Sequence, residues 1–155
     1  MKIRLDELIL PGIVINVRNF KPCERLELQQ LISLLTLPNT LDTIPIRGKA
    51  VLFNFGWDRF WETEHYQNYP FISKEVAAFL VEEKVGLVGV DTFSVDCRDS
   101  RIVHNILLQN DIFVVQNLKG LDQLLFFKNF RFFALPLKIQ KAASLPIRAF
   151  AEVEH

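Results

Sequence analysis

The chain has 155 residues, enough for one domain with a full hydrophobic core and too few for two ordinary ones. Half its residues are hydrophobic and 23% are charged, which excludes the composition of a disordered chain. Its 18 basic residues balance 18 acidic ones. It therefore lacks the basic excess through which nucleic-acid binders gain affinity, and it has little charge to resist self-association.

The opening stretch, MKIRLDELILPGIVINV, holds one short apolar run broken by Pro11-Gly12. It has neither the apolar core nor the small-residue cleavage site of a signal peptide, and no window reaches the length of a membrane span. The expectation is a soluble, cytoplasmic protein with no membrane partner. Cys23 and Cys97 lie far apart without CxxC spacing, which suits two reduced thiols.

The alternating, β-branched GIVINVR (12–18) predicts a strand. ERLELQQLISLLTL (24–37) places Leu28, Leu31, Ile32 and Leu35 at helical spacing. A loop with two prolines follows (37–48), then KAVLFNFG (49–56), an apolar run typical of a strand buried on both faces. Aromatic residues crowd 57–71. SKEVAAFLVEEKVG (73–86) predicts a helix capped by Ser73, with Val76, Ala77, Leu80 and Val81 inward and Gly86 at its end. LVGV (87–90) is a second buried strand, and a loop begins at Asp91. After it come a short helix (101–109), a strand (112–116), a helical turn (120–125) and two closing strands (131–139 and 145–153). This alternation predicts an α/β domain with a mixed sheet, in which sites gather where strands end. Asp91, Ser94, Asp96, His104 and Gln116 all fall at or near such ends.

No GxGxxG, Walker A or GxSxG motif is present, and the six glycines are scattered. Of the histidines, His155 is the C-terminal residue and His65 reads as an exposed loop residue. His104 sits in an apolar helix directly after an acidic loop. Asp91, Asp96 and Asp99 could serve acid–base chemistry or a cation; equally, they could cap a helix or bind loop amides. For Asp91 the structural role is favoured, because a carboxylate at a buried strand end is commonly tied to backbone N–H groups.

Four ordered stretches carry a resemblance. AVLFNFGWDRFW with YPFIS resembles a VLIRTGW strand and the Y-x-x-x-P-x-x-S segment after it. VGLVGVDTFSVD resembles a GIDTLSVD element. HNILLQNDIFVVQNLKGLDQL resembles H-x-x-LL-x-x-x-I-x-I-x-E-x-L-x-NL. PLKIQKAASLPIRAFA resembles a closing PLKI…G-x-P-x-R-A-x-A. Together they resemble the cyclase family, whose best understood members are kynurenine formamidases.

The resemblance implies a mixed, barrel-like sheet flanked by helices and a homo-oligomeric assembly. It implies a hydrolase dependent on zinc or manganese and acting on a small-molecule amide, N-formylkynurenine, in tryptophan catabolism. The metal would polarise the formyl carbonyl and lower the pKa of a bound water to about 7. Two departures bear on this. The family's N-terminal motif HxGTHxDxPxHF, which supplies most ligands and the catalytic histidine, has no counterpart here. The expectation is an N-terminally truncated family domain spanning 1–155, roughly the C-terminal two-thirds to three-quarters of the fold. His104 matches the later histidine ligand, but Gln116 stands where the glutamate ligand belongs, and a neutral amide replaces a carboxylate poorly on zinc.

No catalytic residue is therefore assigned. Asp91 and Ser94 match the DT-x-S element and organise the site loop. Trp57, Phe60 and Trp61 fall where family members line a pocket, though as large apolar residues they suit a core equally well. Arg148 matches the arginine of P-x-R-A and is expected to pair with a carboxylate inside the fold. Two functions follow: a metal-dependent amide hydrolase whose missing ligands come from elsewhere, or a non-catalytic binding and oligomerisation module of the same family.

Overall fold

The computed structural model describes residues 4–139 and 142–154. Six strands form one curled, half-barrel sheet in the order β6-β5-β3-β1-β7-β8: β1 (Ile9–Asn16), β3 (Ala50–Asn54), β5 (Leu87–Val90), β6 (Phe113–Val115), β7 (Phe130–Pro136) and β8 (Ile147–Val153). β2 (Arg25–Leu26) and β4 (Phe71–Ile72) pair in parallel as a separate two-stranded sheet. The helices are α1 (Leu28–Leu35), α2 (Lys74–Glu82) and α3 (Ile102–Leu108). This is the mixed α/β, barrel-like sheet with flanking helices that the sequence predicts.

β1, β3, β5 and β6 run parallel, whereas β7 and β8 are antiparallel to their neighbours. β3 and β5 have a strand on each side and layers on both faces, so every one of their residues is buried. The pleat sorts their side chains into two cores. Ile15, Val51, Phe53, Val88 and Val90 face the helices, while Ala50, Leu52, Leu87, Phe130, Phe132 and Ala134 meet inside the curl. A side chain such as Phe53, fully withdrawn from water, contributes roughly 1.5–3 kcal/mol.

β1 changes partner partway along. Ile9, Leu10 and Pro11 pair with β7, and from Gly12 onward the strand pairs with β3. Pro11, which has no N–H to donate, and Gly12 mark the switch. Any Cβ at Gly12 would run into the Phe130 ring.

Three local expectations are corrected. The first helix starts at Leu28, because Arg25 and Leu26 are drawn into a ladder with Phe71 and Ile72, and Ile32 turns outward. α2 is capped as expected, Ser73 Oγ accepting from the Val76 N–H at 3.1 Å, but the left-handed residue behind it is Lys84 (φ 54°), not Gly86. Gly86 has no positive φ and instead leaves room for the Leu10 side chain. Arg148 is exposed on β8, and among the described residues it joins no ion pair. His155 and Gln140–Lys141 of the last loop lie outside the described residues.

Candidate functional site

The parallel strands deliver their C-terminal ends to one side of the sheet, the place where open α/β sheets collect ligands. Asp91 follows β5 there and is fully buried. Its Oδ1 accepts from the Phe55 N–H at 3.0 Å and its Oδ2 from the Trp57 N–H at 3.1 Å. Gly56 lies between these donors at φ 67°, a left-handed turn that suits glycine. Burial pushes the Asp91 carboxyl up to about 6, against the pull of its backbone donors. The structural role expected for Asp91 is the one it occupies.

The next loop is knitted by short-range bonds. Thr92 Oγ1 donates to the Ser94 carbonyl, and Ser94 Oγ accepts from the Asp96 N–H. Asp96, almost fully buried, closes the start of α3. Its Oδ1 accepts from the Val103 N–H at 2.8 Å and from Ser100 Oγ at 3.2 Å; its Oδ2 accepts from the His104 N–H at 3.0 Å. The same Oδ2 is 2.7 Å from His104 Nδ1. Desolvation pushes the Asp96 carboxyl up, but the backbone donors of His104 and Val103 and the His104 imidazole outweigh it and hold the group below the usual carboxylate value. One aspartate thus caps a helix and fixes an imidazole.

The imidazole's other nitrogen, Nε2, lies 2.8 Å from Gln116 Nε2. Every contact in this chain of groups is satisfied when Nδ1–H donates to Asp96 and the Gln116 amide donates to Nε2, the assignment that the hydrogen-bond network selects. The His104 side chain remains 17% exposed.

Aromatic residues cluster in the turns after β3. Trp57 is buried and its indole N–H donates to the Tyr66 carbonyl at 3.2 Å, so it belongs to the core. Trp61 is 51% exposed and meets the Tyr66 ring edge-on at 5.2 Å. Phe60 and His65 pack together, and His65 also stacks on Trp57 at 5.2 Å; it is therefore half-buried and not a free loop residue. Tyr66 donates its hydroxyl to Asn117 Oδ1 at 2.8 Å, and burial pushes that hydroxyl above its ordinary pKa. Asp58 Oδ2 accepts from the Gly120 N–H at 2.9 Å, tying the turn after β3 to the segment after β6. Tyr66, Asn117 and Asp58 went unassigned on sequence grounds. The one signal for them was the tyrosine of the Y-x-x-x-P-x-x-S segment.

The structure thus brings Asp96, His104 and Gln116 into direct contact and joins Asp91 to the Trp57 backbone. Among the described residues no hydrogen bond links Trp57 or Trp61 to His104 or Gln116. A metal ion fits this donor set poorly. Among the described residues no three His, Cys, Asp or Glu side chains come together. Around His104 there are one imidazole nitrogen and one neutral amide, and both Asp96 oxygens are engaged by α3. Zinc sites need three or four anionic or imidazole ligands. A separate cleft of about 810 Å³, lined by Gly12, Lys49, Lys128, Phe130 and Arg131 among others, opens at the opposite ends of the parallel strands and includes none of these residues.

Comparison with known proteins gives three kinds of match. The Cyclase family model, described as "Putative cyclase", matches residues 1–97, a span that ends before His104. A curated relative, kynurenine formamidase from Bacillus cytotoxicus, is 37% identical over 82 residues, which is 52% of this chain and 38% of that protein. Isatin hydrolase A from Labrenzia aggregata, solved bound to benzyl benzoate, superposes with a TM-score of 0.83 at 21% identity, covering 97% of this chain and 63% of that one. A solved potential metal-dependent hydrolase with cyclase activity has a TM-score of 0.71 at 19% identity, covering 94% and 66%. The chain spans less than two thirds of each of these proteins.

Proposed function

The chain belongs to the Cyclase family, and from that premise we propose that it works as a non-catalytic, small-molecule-binding module built on a hydrolase fold. The single observation that carries this reading is the Gln116–His104 hydrogen bond, which engages the one imidazole nitrogen that could face a metal. Apart from that bond, no hydrogen bond engages the Gln116 amide among the described residues, so its oxygen and second N–H remain for a ligand. An amide presents complementary donors and acceptors to another amide or lactam, and Trp61, which is exposed, packs on Tyr66, whose hydroxyl bonds Asn117 beside Gln116. The occupant is a small amide-type carbonyl compound, held without zinc or manganese. With no net charge to keep copies apart, the module works as a homo-oligomer in the cytoplasm.

A second reading is amide hydrolysis of the kynurenine formamidase type, with N-formylkynurenine as substrate. The identity to the Bacillus cytotoxicus relative favours it. It requires zinc or manganese ligands from residues outside this chain.

Calorimetric titration with N-formylkynurenine, alongside a hydrolysis assay in zinc or manganese, separates the two. The binding reading expects heat of association that Gln116→Ala abolishes, with no product formed. Metal-dependent turnover would overturn it in favour of hydrolysis.

A further inference from the structure

The strand that leads to Gln116 ends just before it, and the chain then folds back over its neighbour. β6 closes at Val115, which pairs with Gly89 of β5. Beyond it the Asn117 N–H donates to the Thr92 carbonyl and the Leu118 N–H to the Val90 carbonyl, each at 3.0 Å. The reversal passes through a left-handed residue, Asn117, at φ 57°. Asparagine enters that region more readily than most residues, but only glycine does so without a steric cost. Gln116 stands between the strand end and this turn, so the turn decides where its amide is aimed.

The Asn117 side chain is held by Tyr66. The Tyr66 hydroxyl donates to Asn117 Oδ1 at 2.8 Å and lies 3.5 Å from the Asp91 carbonyl. Tyr66 is itself well anchored. It is buried in a short helical turn (Glu64–Asn68), its N–H donates to the Thr63 carbonyl, and its own carbonyl accepts from the Trp57 indole at 3.2 Å. Its ring also meets Trp61 edge-on at 5.2 Å. One side chain therefore reaches both parts of the binding arrangement, Trp61 through its ring and Gln116 through Asn117.

We propose that Tyr66 is a positioning residue: by holding Asn117 it fixes the turn that aims the Gln116 amide at His104, and so sets the separation between that amide and Trp61. The consequence for ligands rests on the binding reading above. The occupant is then a compound whose amide-type carbonyl and apolar part match that separation. The tether itself needs no ligand. A bond that merely satisfied a buried hydroxyl would add stability and leave the direction of Gln116 unchanged.

Nitrogen NMR of the free chain tests the tether, because an N–H···N hydrogen bond carries a scalar coupling between its two nitrogens, here the Nε2 atoms of Gln116 and His104. The coupling is expected in the unaltered chain. Tyr66→Phe keeps the ring and deletes the donor. Asn117→Gly keeps the left-handed turn and deletes the acceptor. Both are expected to lose the coupling, whereas Asn117→Asp, which keeps an acceptor oxygen, retains it. Circular dichroism checks that each variant keeps its fold. A coupling that persists in Tyr66→Phe and Asn117→Gly would overturn the proposal. Its loss in Asn117→Asp would do the same, since an intact tether would then have failed to aim the amide. Calorimetric titration with N-formylkynurenine separates this outcome from the binding reading. Tyr66→Phe is expected to weaken association by about threefold to tenfold. An unaltered chain that binds nothing, with the couplings as expected, would overturn the binding reading and leave the tether standing.

Discussion

Gln116 and His104, twelve residues apart, meet with 2.8 Å between their Nε2 atoms, and the other imidazole nitrogen of His104 is held by Asp96 at 2.7 Å. The histidine is therefore clamped between an amide and a carboxylate, both from this chain. A histidine held by an aspartate on one nitrogen has the second partner typical of a metal ligand. Here the nitrogen that would face the metal receives a hydrogen bond.

The two sides of this clamp differ in strength. Gln116→Ala removes one neutral hydrogen bond and costs about 0.5–1.5 kcal/mol. His104→Ala takes the imidazole from an almost fully buried Asp96 carboxylate and costs more, about 1–3 kcal/mol. Urea unfolding of the two variants checks the order. A more damaging Gln116→Ala would show that the clamp is held from the amide side.

Asp91 gives stability a particular pH dependence. Its folded carboxyl titrates at about 6, above the ordinary 3.8, because burial disfavours its charge. The folded state thus keeps its proton longer than the unfolded chain. The stabilising effect is complete below about pH 4, declines as pH rises to 6 and is flat beyond, a change of up to about 3 kcal/mol. Asp96 acts with the opposite sign: its lowered pKa stabilises the fold above the ordinary carboxylate range, and that effect is lost as pH falls below it. Asp91→Asn should abolish the decline between pH 4 and 6. It should also lower stability at neutral pH by about 1–3 kcal/mol, since one backbone N–H loses its acceptor. Denaturation series at several pH values would reveal both; an unchanged slope would contradict the assignment.

Gly12→Ala is expected to destabilise by about 1–3 kcal/mol, because the Phe130 ring fills the space a Cβ would take. Phe130→Leu in the same chain should recover part of the loss. Thermal unfolding of the single and double variants measures this coupling, and simple additivity would contradict it.

Ser73→Ala removes the oxygen that accepts the Val76 N–H at the start of α2, within a buried environment. The expected cost is about 1 kcal/mol. Helix-specific amide exchange in residues 74–77 should accelerate more than exchange in β5.

Much of this was legible in the residues. The apolar runs at 50–54 and 87–90 announce strands buried on both faces, and Ser73 announces a helix start, because burial and capping leave local marks. The pairing of His104 with Gln116 was legible through the family spacing. The Asp96–His104 contact was visible only as one of several roles for an acidic loop. β2 and β4, two residues each, have no periodicity to read. Arg148 misled because a motif gives a residue's identity, not what covers it. Lys84 takes the left-handed turn behind α2, and the glycine at 86 answers a different need, the space that the Leu10 side chain fills.

The measurement that bears most directly on the central claim is the metal content of the purified chain after exposure to zinc and to manganese and removal of the excess. The donor set around His104 predicts no tightly held ion, and it predicts that His104→Ala leaves the result unchanged. One or two ions retained per chain, and lost in His104→Ala, would contradict the account and make His104 a working ligand.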